Sequence, residues 1–323
     1  MIVFLILLIL LFSFVLIKSA DQVVLGLRRL SQGSKSKGFI LSALLIALAT
    51  SFPELFVGIT SALEGAPALS LGNVMGANIA NISLVAGLSA WVVGKVNVHG
   101  QFLRRDVTIA LIAGTLPLIL IFDGQLGRTD GLILIAIYGA YASSFFKHRF
   151  LQIAEEHKKG SYIQRFLRKF TQIDGNKSKE AARLFVGVAM LLVSANIIVR
   201  IARVLAEAAG IPVFLVGLIL VSIGTTLPEL AFSFRALEDK EPTMFFGNIL
   251  GSIIANSTLV VGITAAISPI TIAAKSEYMV AAAAFILIFL QFWFFIKSKL
   301  RLDRWEAAAL LVLYLAFVVV EFN

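Results

Sequence analysis

The chain has 323 residues, of which 59% are hydrophobic and only 15% charged, and its mean hydropathy is +0.93. That much apolar surface cannot be hidden in a water-soluble fold, so the composition excludes a soluble globular protein and defines an integral membrane protein. The net charge of +9 comes from basic residues crowded into short loops between apolar stretches, a membrane pattern rather than a nucleic-acid one; the absence of cysteine excludes disulfides and thiolate metal sites.

Windows of about 20 apolar residues predict ten spans, at 2–18, 38–63, 66–93, 106–123, 130–147, 181–205, 211–237, 242–267, 277–297 and 305–321. The first is as apolar as a signal peptide, but it has no basic start and no small-x-small cleavage site before Lys18, so it reads as a retained span. The one sizeable hydrophilic stretch, 148–180, divides the chain into a first five-helix repeat (1–147), a connector and a second five-helix repeat (181–323). Within the connector, 161–170 alternates apolar and basic residues at helical spacing. A helix on the inner leaflet and a solvated charged link both fit that pattern.

Five spans per half is an odd number, so the second half must enter the membrane from the opposite side, and the repeats have inverted topology. Twenty-four of the 28 basic residues fall in the odd-numbered loops, leaving Arg128, Arg200, Arg203 and Lys275 on the other side. The positive-inside rule then makes the odd loops and the connector cytoplasmic and puts both termini outside. Trp91, Trp293 and Trp305 fall near span ends, as an aromatic belt requires. The fold class is therefore an all-α membrane protein of ten transmembrane helices in two inverted five-helix repeats, a multi-pass protein of the plasma membrane.

One stretch occurs twice. Thr50-Ser51-Phe52-Pro53-Glu54-Leu55 returns 175 residues later as Thr225-Thr226-Leu227-Pro228-Glu229-Leu230, and Gly72-Asn73, Gly76, Asn81 and Gly87 match Gly247-Asn248, Gly251, Asn256 and Gly262 at the same offset. Each copy puts a carboxylate into apolar sequence, at a cost of roughly 2.5–3.5 kcal/mol near a bilayer centre. On a helix Thr50 and Glu54 share a face with Ser51 beside them. Pro53 frees the carbonyl of Ala49 and bends the segment there. Each motif thus offers hydroxyls, backbone carbonyls and one carboxylate, the oxygen ligands that calcium and sodium prefer. Two glutamates meeting at a pseudo-twofold axis carry −2, which one Ca²⁺, two Na⁺ or two protons neutralise. Such a site has the electrostatics of an antiporter.

The helix after each motif carries Gly72, Gly76 and Ala80, or Gly247, Gly251 and Ala255, a spacing that lets helix backbones approach closely. Beside them run Asn73, Ala77 and Asn81, matched by Asn248, Ser252 and Asn256; Asn73 and Asn248 read equally well as ligands and as helix–helix hydrogen-bonders. A proline in a membrane helix is ordinarily a packing kink. Glu64, Glu207, Asp123, Asp130 and Glu277 read as interfacial, and the three histidines as solvated. What sets Glu54 and Glu229 apart is their recurrence in register.

These paired motifs resemble the two alpha-repeats of the calcium/cation antiporter superfamily, nearest its sodium/calcium exchanger branch, and the resemblance covers all ten spans. It implies alternating access, with spans 2, 3, 7 and 8 holding the ions while spans 1 and 6 slide across them. It further implies that Glu54 and Glu229 are the central calcium carboxylates, assisted by the carbonyls of Thr50 and Thr225. Ser51, Thr226, Ser252 and the carbonyls of Ala47 and Ser222 match positions around flanking sodium sites; Asn81 and Asn256 match the central polar pair. Two departures stand out: Ala77 replaces a serine that helps bind sodium in many relatives, and Asn256 replaces an aspartate found in some. The first weakens one sodium site and leaves proton coupling open.

The expected activity is secondary antiport of Ca²⁺ against Na⁺, with proton-coupled divalent antiport as the alternative within the class. A membrane-embedded metalloenzyme and a passive cation channel are the rivals outside it. No enzyme activity, cofactor or nucleic-acid partner is expected; the partners are inorganic cations and the lipid bilayer, and a monomer suffices.

Overall fold

The computed structural model describes residues 1–31, 50–97, 101–156, 177–299 and 301–321. Among them the chain forms ten helices: α1 (Ile2–Ser31), α2 (Phe52–Leu63), α3 (Pro67–Val93), α4 (Gln101–Leu120), α5 (Arg128–Glu156), α6 (Lys177–Ala209), α7 (Val213–Glu238), α8 (Pro242–Ile267), α9 (Lys275–Lys299) and α10 (Arg304–Glu321). They follow the predicted spans in order. Six of them, α1, α3, α6, α7, α8 and α9, are long and apolar enough to cross a membrane. The start of the second predicted span and the stretch 161–170 lie outside the described residues. α5 runs past its predicted end to Glu156, and α6 starts at Lys177, inside the predicted connector. Adding a residue to a formed helix gains a hydrogen bond at little cost, so the helices outlast their apolar windows.

Burial sorts the helices into centre and rim. Of the apolar window of α8, 78% is buried, against 22% for α1. Val3, Phe4, Leu7, Leu11 and Phe14 of α1 face outward, while Ile9, Ser13, Leu16 and Ala20 are buried. An apolar face this long, left open by the protein, is a lipid-facing surface. α1 packs chiefly along α6, its counterpart in the other half, and both lie beside α2 and α7.

The contacts between the halves come in matched pairs. α3 packs on α7 and α10, as α8 packs on α2 and α5; α9 meets α3, as α4 meets α8. Glycine makes the closest of these approaches possible: a Cβ on Gly72 would run into the carbonyl oxygen of Phe214, and one on Gly76 into that of Leu218. The predicted close approach is thus realised between α3 and α7. The stretch against which Gly247 and Gly251 would pack at the equivalent place lies outside the described residues. Gly87 and Gly262 play matching roles, the first against the Ala307 carbonyl of α10 and the second against that of Gly131 in α5.

Two short antiparallel pairings, too short to read from the sequence, join the halves. β1 (Lys95–Asn97) pairs with β4 (Arg301–Asp303), and β2 (Gln125–Leu126) with β3 (Ile270–Thr271). β1 follows α3 and β3 follows α8, whereas β2 follows α4 and β4 follows α9, so each pairing joins non-equivalent loops of the two repeats. Strands can pair only on the same face. Hence the α3–α4 and α9–α10 loops share one face and the α4–α5 and α8–α9 loops share the other, as inverted repeats demand. The β1–β4 face is further stitched by Lys299 Nζ to Glu306 (3.0 Å), by the Asp303 amide to Glu306 Oε2 (3.0 Å) and by Arg304 Nε to the Trp91 carbonyl (3.0 Å).

Among the described residues three helices contain a π-helical turn: Asn81–Val85 in α3, Ala255–Val260 in α8 and Val216–Val221 in α7. The first two are equivalent and contain Asn81 and Asn256. Such turns loosen the i→i−4 ladder and recur at functional sites. The sequence reading expected the break at the proline. In the first repeat α2 begins there, with Pro53 in its first turn, whereas in α7 the helix continues through Pro228 and the irregular turn lies upstream of it. Thr226 Oγ1 donates to the Ser222 carbonyl (2.8 Å) within that continuous stretch.

Candidate cation site

The two motifs meet where α2, α3, α7 and α8 cross. Glu54 and Glu229 are both fully buried, and the Glu54 charge acts directly on Glu229. Each carboxylate lies against the motif threonine of the other repeat, Glu54 by Thr225 and Glu229 by Thr50. Those hydroxyls are aimed elsewhere. Thr225 Oγ1 donates to Asn73 Oδ1 (3.1 Å) and Thr50 Oγ1 to Asn248 Oδ1 (3.3 Å). The duplicated asparagines therefore hold the threonine of the opposite motif in place, which resolves the ambiguity their spacing left.

Three of the four carboxylate oxygens, both of Glu54 and Oε2 of Glu229, have no hydrogen-bond partner among the described residues. Only Oε1 of Glu229 has one, from Ser252 Oγ at 3.4 Å, and the Ser252 and Thr50 hydroxyl oxygens lie 3.1 Å apart. The position equivalent to Ser252 is Ala77, which is buried and has no hydroxyl to offer. This single difference accounts for the greater isolation of Glu54.

Around the carboxylates the pattern continues. Ser51 Oγ, both polar side-chain atoms of Asn81 and Asn256 Oδ1 are buried without partners among the described residues. Buried polar groups are nearly always hydrogen-bonded, because leaving one unpaired costs about 1–3 kcal/mol. So many orphaned oxygens around two carboxylates are chemically a shell for a hard cation. Thr225 and Thr226 are buried beside them, and the Thr226 hydroxyl donates to the Ser222 carbonyl. Of the sequence-predicted site residues, Ala47 lies outside the described residues; the others gather on these four helices.

Sequence reasoning missed two residues here. Asn78 Nδ2 donates to Ser257 Oγ (2.7 Å), and Asn256 Nδ2 donates to Asn78 Oδ1 (3.4 Å). These bonds tie the π-helical turn of α8 across the centre to α3, just before the equivalent turn there. At the offset of 175 the counterparts of Asn78 and Ser257 are Ile253 and Ile82, so a search for repeated polar residues passes over them. Glu64, expected at the interface, caps the end of α2. It accepts from Asn196 (2.8 Å) and Arg200 (3.3 Å) of α6, and its carbonyl accepts from Arg203. The Asn196 amide first, then Arg200, holds its carboxyl below the usual range.

Fold and site together define an all-α, multi-span membrane protein with a buried, oxygen-rich, carboxylate-bearing centre between two inverted repeats. Residues 4–147 and 179–323 match the family described as "Sodium/calcium exchanger protein", and the chain belongs to that family. Sodium/calcium exchanger MaX1 of Methanosarcina acetivorans is 27% identical, over 95% of both chains. Inner membrane protein YrbG of Escherichia coli is 31% identical, over 78% of this chain and 76% of its own. Among solved structures, the sodium-calcium exchanger NCX_Mj soaked with 2.5 mM Na⁺ and 1 mM Sr²⁺ superposes with a TM-score of 0.62 at 26% identity, covering 99% of each chain. The same exchanger soaked with 10 mM Na⁺ and no Ca²⁺ gives 0.61 at 25% identity. The family is one of transporters rather than enzymes.

Proposed function

We propose that this protein is a secondary active antiporter that exchanges Ca²⁺ for Na⁺ by alternating access, with Glu54 and Glu229 as the central cation ligands. The observation that carries the reading is the pair of fully buried carboxylates, one from each repeat, with three of their four oxygens unpartnered. Two such groups repel each other and are costly to bury, and a divalent cation between them removes both penalties. Ser51, Thr226, Ser252 and the Ser222 carbonyl surround the centre as ligands for smaller charges, with Asn81 and Asn256 between them. The proposed Ala47 carbonyl would complete the matching position in the first repeat. The matched cross-repeat contacts allow the same four helices to hold ions while α1 and α6 move against them. The basic β1–β4 face is the cytoplasmic one, and both termini lie outside.

The test is ⁴⁵Ca²⁺ uptake into proteoliposomes loaded with sodium or given a proton gradient. Uptake driven by outward sodium and abolished in Glu54→Gln supports the reading. Uptake driven only by protons replaces it with proton-coupled exchange, a reading favoured by one observation: Ala77 withdraws a hydroxyl oxygen from the Glu54 side. Uptake under neither condition removes the antiport assignment.

A further inference from the structure

Four buried hydroxyls outside the central site have no partner among the described residues: Ser13 Oγ in α1, the Tyr278 hydroxyl in α9, Ser89 Oγ in α3 and Ser233 Oγ in α7. Of these, Ser89 and Ser233 have no exposed surface and lie on two helices that pack together beside the central site. The inverted repeat explains why these two are orphaned and places them on two helical segments that pack against each other. Their counterparts at the offset of 175 are Thr264 and Gly58. In that half Thr264 is satisfied, because its Oγ1 and Ser70 Oγ lie 2.9 Å apart in a hydrogen bond. The pair sits directly over Gly58, where a Cβ would be 2.8 Å from the Thr264 oxygen. The other half makes two changes. Phe245, fully buried, stands where Ser70 would, so Ser89 has lost its partner. Ser233 stands in place of Gly58, which adds a second hydroxyl where α7 packs along the Ala86–Val93 end of α3. An apolar residue at 89 would fill the same space without an orphaned oxygen, so the hydroxyls need a reason.

Their place supplies one. Ser233 is one helical turn beyond Glu229, and both serines lie between the central carboxylates and the β1–β4 face. Building on the antiport reading, we infer that Ser89 and Ser233 form a second cation station, a pair of neutral hydroxyl ligands that receives a partly dehydrated cation between the central site and the cytoplasmic face. On the opposite side Gly58 has no side-chain oxygen and Thr264 is bonded to Ser70, so no such station is offered. The two repeats differ at these positions, and the transport path is therefore asymmetric. A neutral station binds too weakly to trap a divalent ion, which suits a step that must be left as readily as entered.

The asymmetry is measurable. Sodium-driven ⁴⁵Ca²⁺ uptake is compared in everted membrane vesicles, where Ca²⁺ enters from the cytoplasmic face, and in right-side-out vesicles. Ser89→Ala and Ser233→Ala should each raise the KM for Ca²⁺ in everted vesicles about threefold to tenfold, the loss of one hydroxyl ligand, and leave it unchanged in right-side-out vesicles. Ser89→Thr and Ser233→Thr, which keep the oxygen, should restore it. Equal shifts on both sides, or none in a protein that elutes normally in size exclusion, would overturn the station and leave the antiport reading intact. Wild-type vesicles that take up no Ca²⁺ in either orientation would overturn both.

Discussion

At the scale of single residues, the carboxylates show function set against stability. Removing the charge at Glu54 removes a ligand but also a buried, unpaired group. Glu54→Gln should therefore abolish sodium-driven Ca²⁺ uptake while leaving the cation-free protein as stable as wild type or more so, by about 1 kcal/mol, which melting in detergent would detect. Glu229→Gln should abolish uptake too but gain less, since Ser252 already serves one of its oxygens. Retained uptake in both variants would remove these residues from the site. Ala77→Ser is the converse experiment. It gives Glu54 the hydroxyl that Ser252 gives Glu229, and the half-saturating sodium concentration should fall roughly fivefold, the worth of about 1 kcal/mol; an unchanged sodium titration would detach Ala77 from sodium binding. The duplication in the sequence made Glu54 and Glu229 readable, because two coincident costs in register are hard to attribute to packing. It could not reveal Asn78 and Ser257, whose counterparts Ile253 and Ile82 are apolar. Nor could it say that Asn73 and Asn248 each grip the threonine of the opposite repeat, since spacing along one helix says nothing about which helix faces it.

At the scale of elements, the ten helices and their order were legible, because about 20 apolar residues in a row have few other uses. The π-helical turns were not: widening one turn leaves composition and hydrophobic period almost unchanged. The proline marks the start of α2 but misleads in α7. It removes one hydrogen bond, but α7 absorbs the loss without breaking. The α3–α7 crossing is where an element is most exposed to mutation. Its separation is fixed by backbone against backbone, so a side chain at Gly76 has no flexible neighbour to push aside. Gly76→Val should cost about 3 kcal/mol or more, seen as loss of the monodisperse peak and a lower melting temperature; a tolerated valine would mean that the helices part easily.

At the scale of the whole molecule, ligand and frame can be tested separately. A cation that binds the folded site but not the unfolded chain stabilises by about 2.7 kcal/mol at a hundred times its Kd, so Ca²⁺ should raise the melting temperature of wild type and not of Glu54→Gln. The chain has no cysteine, so engineered pairs can be crosslinked without background. Val96 and Leu302 face each other across β1 and β4. A disulfide from Val96→Cys with Leu302→Cys should leave transport within about twofold of wild type if that face is a fixed frame. Glu64→Cys with Asn196→Cys would instead tie α2 to α6 where they now share a hydrogen bond, and should stop transport until reduced. The two strand pairings also bear on how the protein is made. β1 and β2 leave the ribosome in the first half, yet β4 and β3 are nearly the last segments translated. The first repeat must therefore wait in the bilayer with its strands unpaired and its glutamate without an opposite number, and biogenesis ends in one late closing step rather than in two independent halves. A chain cut between Glu156 and Lys177 should then assemble only when both pieces are present, and either piece made alone should be degraded.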